Sequence, residues 1–179
     1  MRVLALSGSL RRDSLNTRLL RAAQELGGPG VEFVRYDSLA TIPPFNQELE
    51  HRQPAEVHEL RQRIEAADAV LIATPEYNGS IPGQLKNALD WVSRPSADNP
   101  LRGKPVAVLG ASAGMFGAVW AQAELRKVAA ALGARVIDRE FPVASANDAF
   151  TADGELVDAA LREELADLCA QLCGALSFA

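Results

Sequence analysis

Residues 7–16 read SGSLRRDSLN, a stretch crowded with groups that can donate hydrogen bonds to an anion. Ser7, Ser9, Ser14 and Asn16 offer hydroxyl or amide donors, and Arg11 and Arg12 offer guanidinium forks that match phosphate oxygens. A short apolar run precedes the stretch, and a helical pattern opens directly after it. The first N–H groups of a helix have no intrahelical partner, and the helix dipole adds partial positive charge there. The chemistry this predicts is the holding of a phosphate-bearing cofactor just beyond the carboxyl end of a strand. The stretch is not a P-loop, because no Gly-Lys-Ser/Thr follows Gly8, and it is not a dinucleotide fingerprint, because Gly8 is its only glycine. An ordinary strand-to-helix turn capped by Asp13 or Ser14 would use the same residues.

Two further loops have unusual composition. PEYNGSI (75–81) combines a strand-ending Pro75, an aromatic Tyr77 and the turn-forming pair Asn78-Gly79. Its backbone N–H and C=O groups would form a rim suited to the polar edge of a planar heterocycle, unless the turn serves geometry alone. ASAGMFG (111–117) is small and glycine-rich, which admits close backbone approach to a ligand, with Ser112 as a hydroxyl donor. Here too the glycines could simply relieve a strand-to-helix connection.

The elements that must position these loops alternate along the chain. Short apolar runs at 2–7, 31–36, 67–74, 104–112 and 134–138 read as strands. Helical patterns are expected at 15–26, 54–66, 82–92, 117–132 and 154–174, with Pro82 suited to an early helical position. Residues 38–53 are irregular, since Pro43-Pro44 bars a regular element. Apolar strands separated by helices predict an α/β fold with a parallel sheet covered on both faces. Right-handed crossovers then favour the doubly wound order 2-1-3-4-5, in which ligands sit at the strand carboxyl ends beside the switch between strands 1 and 3. The loops at that edge are 8–16, 75–81 and 111–117.

The length of 179 residues fits one domain spanning 1–179. A net charge of −5, with no lysine/arginine stripe, argues against a nucleic-acid partner. No apolar run reaches membrane-spanning length and Met1-Arg2 leads straight into a strand, so a cytoplasmic protein without a signal peptide is expected. Cys169 and Cys173, in the last helical segment, read as reduced thiols, buried or half-buried, without a function.

GSLRRDSLN (8–16), PEYNGSIPGQLKNALDW (75–91) and GASAGMFGAVWAQ (110–122) together closely resemble the NAD(P)H-dependent FMN reductases, a flavodoxin-like group that includes quinone, chromate and azo-dye reductases. IPPFNQELE (42–50) resembles the loop before the second helix of that family. The resemblance implies a three-layer sandwich around a five-stranded parallel sheet. It implies FMN as cofactor, with the phosphate meeting Ser9, Arg11, Ser14, Leu15 and Asn16. The isoalloxazine would lie against Pro75, Glu76, Tyr77, Asn78 and Gly79, with Ser112 on the far side. NADPH or NADH would be the donor, and hydride would pass through the flavin to quinones, azo compounds, chromate or similar small acceptors. No side chain is expected to act as acid, base or nucleophile, and Glu76 is expected to serve mainly through its main chain. Asp13 departs from the family pattern, so its carboxylate must point outward, as a cap or paired with Arg12, or FMN binds less tightly. A homodimer or homotetramer is implied, with Leu85, Leu89, Trp91 and the Pro43–Phe45 region as candidate interface. The competing reading is a flavodoxin-like carrier passing single electrons to a protein partner. Receiver domains and low-molecular-weight phosphatases are excluded, because the first loop has neither an acidic cluster nor a cysteine.

Overall fold

Alternate residues of the first strand face different helical layers, and that alternation organises the whole molecule. In the computed structural model, which describes residues 1–178, Leu4 and Leu6 of β1 (Arg2–Ser7) point into one core and Val3 and Ala5 into another. β3 (Ala69–Ala73) and β4 (Pro105–Ala111) divide in the same way. Strands buried on both faces need apolar residues at every position, which is why these runs show no polar alternation. β2 (Glu32–Tyr36) is an edge strand and carries charge at Glu32 and Arg35. Helices α2 (Ala55–Glu65), α3 (Gly83–Val92) and α4 (Val119–Ala131) cover the first core. Helices α1 (Leu15–Leu26) and α5 (Ala159–Gly174) cover the second.

The sheet is parallel in the order β2-β1-β3-β4-β5, as the alternating pattern predicts. Two features differ from expectation at its far edge. β5 is only Arg135–Val136, and a sixth strand, β6 (Pro142–Val143), pairs with the end of β4 through Gly110 and Ala111. The fifth position is thus filled by two short pieces. Between them Asp138 and Glu140 turn outward to Arg126, while Phe141 is drawn into the core and donates its N–H to Gln122 Oε1 at 2.9 Å. The last helix also begins later than residue 154. Residues 150–156 close a small bridge between Phe150 and Leu156, Gly154 takes φ +93°, and Asp158 caps the helix through the Ala160 N–H at 2.8 Å.

Irregular residues 38–53 contain 3-10 turns at Leu39–Thr41 and Gln47–Leu49 and are fastened to one face of α3. Gln84 Nε2 donates to the carbonyls of Leu39 and Ile42, and Asn87 bonds Pro43 O and Phe45 N–H. The Trp91 indole also donates to Pro43 O, and its ring meets Phe45 edge-on at 5.0 Å. Residues 84, 87 and 91 share a helix face by their 3–4 spacing. This corrects the expected interface: Leu85 and Trp91 have no exposed surface and Leu89 has 2%, so α3 spends its apolar face internally.

The Tyr36 hydroxyl is buried and has no hydrogen-bond partner among the described residues. Burial, reinforced by Glu59 and Glu56, pushes its pKa from 10.0 up to about 12. The folded hydroxyl therefore keeps its proton where the unfolded one has lost it, and stability falls as pH rises from about 10 towards about 12. Tyr36→Phe should flatten that alkaline slope and change stability by less than about 1 kcal/mol near neutrality, because no bond is lost. Urea unfolding of both proteins near neutral pH and at about pH 11 checks it; equal slopes would contradict it.

Candidate active site at the strand carboxyl ends

The three loops converge where β1, β3 and β4 end in register. Ser7 pairs with Ala73, the Gly8 N–H donates to Ala73 O at 2.8 Å, and the Thr74 N–H donates to Leu109 O at 2.9 Å. In the first loop Ser14 is the cap of α1: its Oγ accepts the N–H groups of Asn16 and Thr17 at 3.2 and 3.4 Å. Ser9 Oγ accepts the Arg11 N–H at 3.3 Å. Both hydroxyls keep their hydrogen for another acceptor. The N–H groups of Arg12, Asp13 and Leu15 have no partner among the described residues. Arg11 and Arg12 are exposed and form no ion pair there, and Asp13 is exposed and unpaired, so it neither caps α1 nor neutralises Arg12.

Asn16 has another task. Its side chain is buried, with Nδ2 donating to Ala111 O at 3.0 Å and Oδ1 accepting the Ala111 N–H at 2.9 Å. One carboxamide thus ties the start of α1 to the end of β4, 95 residues away.

In the second loop Pro75 is buried, and Asn78 and Gly79 take φ of +55° and +74°. Tyr77 and Ser80 exchange N–H···O bonds of 3.0 and 3.1 Å around them. Two successive positive φ values make the tight two-residue turn that favours Asn-Gly. The Asn78 and Gly79 N–H groups are left unpartnered among the described residues. Glu76 contradicts its expected main-chain role: Oε2 accepts the N–H groups of Trp120 and Ala121, both at 3.1 Å. Sequence could not pair these residues, because a Glu in a loop carries no mark of a helix beginning over forty positions later.

In the third loop Ser112 Oγ accepts the Gly114 N–H at 3.1 Å, and the Ser112 N–H donates to Val143 O at 3.0 Å. Gly117 has φ +58°, and an added Cβ would stand 2.7 Å from Pro142 Cβ and 2.8 Å from the backbone of Pro142 and Val143. Nothing in the sequence signals that this glycine faces β6.

A cleft of about 550 Å³ opens between the first two loops, lined by Gly8, Leu10, Arg11, Tyr77, Asn78 and residues 81–84. Arg11, Tyr77 and Asn78 meet there; Ser112 lies outside its lining.

Residues 1–148 match the NADPH-dependent FMN reductases. The chain belongs to that family. An NAD(P)H-dependent FMN reductase of Pseudomonas aeruginosa is 44% identical over 165 residues, covering 91% of this chain and 88% of its own. A quinone reductase of Escherichia coli is 39% identical over 141 residues, 78% of this chain and 74% of its own. Among solved structures, the flavoenzyme NAD(P)H:(acceptor) oxidoreductase of Paracoccus denitrificans superposes with a TM-score of 0.87 at 37% identity, covering 98% and 97% of the two chains. The reductase is accordingly an FMN-dependent oxidoreductase with a flavodoxin-like fold and a nicotinamide donor.

Its donor set fits FMN. A phosphate monoester needs converging donors and an uncompensated cation, and the start of α1 supplies free N–H groups, two hydroxyl hydrogens and Arg11. A planar ring needs a backbone rim, which the turn at 77–80 provides. Neither thiol of the reductase belongs to this region. Cys169 is buried in the second core, and burial pushes its pKa up to about 12, so it stays a protonated, unreactive thiol.

Proposed function

We propose that FMN lies in the cleft between the first two loops, its phosphate at the start of α1 and its ring along residues 75–79. Hydride from NADPH or NADH then reaches quinones, azo compounds, chromate or similar small acceptors. The observation that carries this reading is one cleft lined by both the unpaired Arg11 guanidinium and the Tyr77-Asn78 turn. When bound, FMN supplies the hydride chemistry between donor and acceptor.

The chain binds and orients. Arg11, the hydroxyls of Ser9 and Ser14 and the Leu15 N–H hold the phosphate. Asn16 contributes by keeping α1 against β4 and leaves the direct contacts to its neighbours. Pro75, Glu76, Tyr77, Asn78 and Gly79 form the ring's rim, with the free Asn78 and Gly79 N–H groups aimed at its polar edge. Ser112 offers its hydroxyl hydrogen from the opposite loop. Fixed backbone dipoles of this kind stabilise developing negative charge without reorganising. No side-chain acid or base is assigned. One domain carries the reaction, and the reductase works in the cytoplasm, where nicotinamide donors are abundant. No described helix is long and apolar enough to cross a membrane. Self-association as a homodimer or homotetramer belongs to the same reading, and sedimentation velocity reads it directly.

Anaerobic addition of NADPH or NADH to the FMN-loaded protein should bleach its yellow colour, and a benzoquinone should restore it. A flavin that neither nicotinamide reduces would instead favour a single-electron carrier. Arg11→Ala should weaken FMN binding by about 10-fold or more, the scale of a lost charge-assisted bond. An unchanged dissociation constant would move the phosphate elsewhere.

A further inference from the structure

Two carboxylates clamp the second loop to helix α4 from opposite ends. Glu76, near the start of the loop, accepts the N–H groups of Trp120 and Ala121. Helix α4 needs that acceptor. Its own cap residue, Ala118, sits at φ +61° and has no side chain able to cap, so its first N–H groups would otherwise lack partners. One turn further along α4, Glu124 Oε2 accepts the N–H of Ile81 at 3.2 Å, where the same loop ends. The first turn of α4 is also where the third loop terminates. The two carboxylates therefore set the spacing between loop 75–81 and loop 111–118.

We infer that Glu76 and Glu124 are positioning residues of the reductase, a reciprocal carboxylate clamp that fixes how far apart the two ring-flanking loops stand. The inference rests on the flavin placement given above. Neither residue needs to exchange a proton; each acts through the backbone it holds. Glu76 has a second effect, because its charge compensates the positive end of the α4 dipole. Without that charge the helix end stands uncompensated beside the loops around the ring. A ring that gains negative charge on reduction is then easier to reduce.

The test titrates apoprotein with FMN, following the quenching of flavin fluorescence, for wild type, Glu76→Ala, Glu76→Gln, Glu124→Ala and Glu124→Gln. Glu163→Ala on the exposed side of α5 is the control for loss of one carboxylate. Each alanine variant should bind FMN roughly 10-fold more weakly, as expected when charge-assisted bonds to a backbone are lost. Each glutamine variant keeps an oxygen that can accept the same N–H groups and should lie within about 3-fold of wild type. Glu163→Ala should not differ from wild type. Bound FMN in Glu76→Gln should have a higher reduction potential than in wild type, a change that a merely structural role would not produce. If Glu76→Ala fails to fold, Glu124→Ala tests the same loop from its other end. Alanine variants that bind as well as wild type would overturn the clamp alone. Glutamine variants as weak as the alanine ones, with an unmoved potential, would also overturn it. Wild-type apoprotein that does not take up FMN would overturn the flavin placement and the clamp with it.

Discussion

Gly117→Ala should destabilise the fold by about 3 kcal/mol or more and abolish FMN uptake, through two separable costs. The first is conformational: an L-residue held at φ +58° loses roughly 1–2 kcal/mol relative to glycine. The second is steric. The new methyl would meet backbone atoms of Pro142 and Val143 at 2.8 Å. Those atoms cannot yield cheaply, because β6 is paired with the end of β4 and the Ser112 N–H holds Val143 O. Relief must come from displacing the third loop or unpairing β6. Gly28→Ala separates the two costs: Gly28 has φ +77° with nothing within 4 Å, so it carries the strain without the clash. Urea unfolding of both variants should show Gly117→Ala losing at least twice as much. Equal losses would mean that the β6 backbone moves freely, and the rigid placement of the third loop would be wrong.

Asn16→Asp should cost about 3 kcal/mol near neutral pH and recover part of that loss on acidification. Aspartate can still accept the Ala111 N–H. It loses the donor to Ala111 O and sets a carboxylate oxygen against that carbonyl in a buried site. Burial and the facing carbonyl both raise the carboxyl pKa above its unfolded value. Between those two values the folded state binds more protons than the unfolded one, so stability falls as pH rises and returns as pH is lowered. The protonated acid can again donate to Ala111 O. Asn16→Leu, which leaves both Ala111 groups unpaired, should be similarly destabilised but without that acid recovery. Denaturant midpoints at about pH 5 and about pH 7 separate the two. Parallel losses at both values would show that the carboxamide does not bridge α1 and β4.

Short-range signals in the chain were reliable wherever the deciding interaction is itself short-range. The apolar runs of β1, β3 and β4 must be buried on both faces whatever surrounds them. Ser14 caps α1 using N–H groups only two and three residues away. Asn78-Gly79 makes its turn because few other pairs tolerate positive φ twice in succession. The strand order follows from alternation and crossover handedness, and it places the three loops at one edge before any coordinate is known. The FMN reductase family was legible for the same reason, since its motifs occupy those loops.

What the tertiary structure alone decided lies in contacts between distant positions. Asn16 is written among phosphate donors, yet its carboxamide is consumed by Ala111. Glu76 stands in the ring-facing motif, yet its carboxylate caps a helix supplied by another part of the chain. Leu85, Leu89 and Trp91 look like a free apolar face until residues 39–45 fold back to cover it. β6 and the late start of α5 belong to the same class, being set by pairing with β4 and by the Phe150–Leu156 bridge. Local propensity fixes which elements form, because backbone conformation is governed by near neighbours. The use to which a polar side chain is put depends on which unpaired backbone group the finished fold brings beside it.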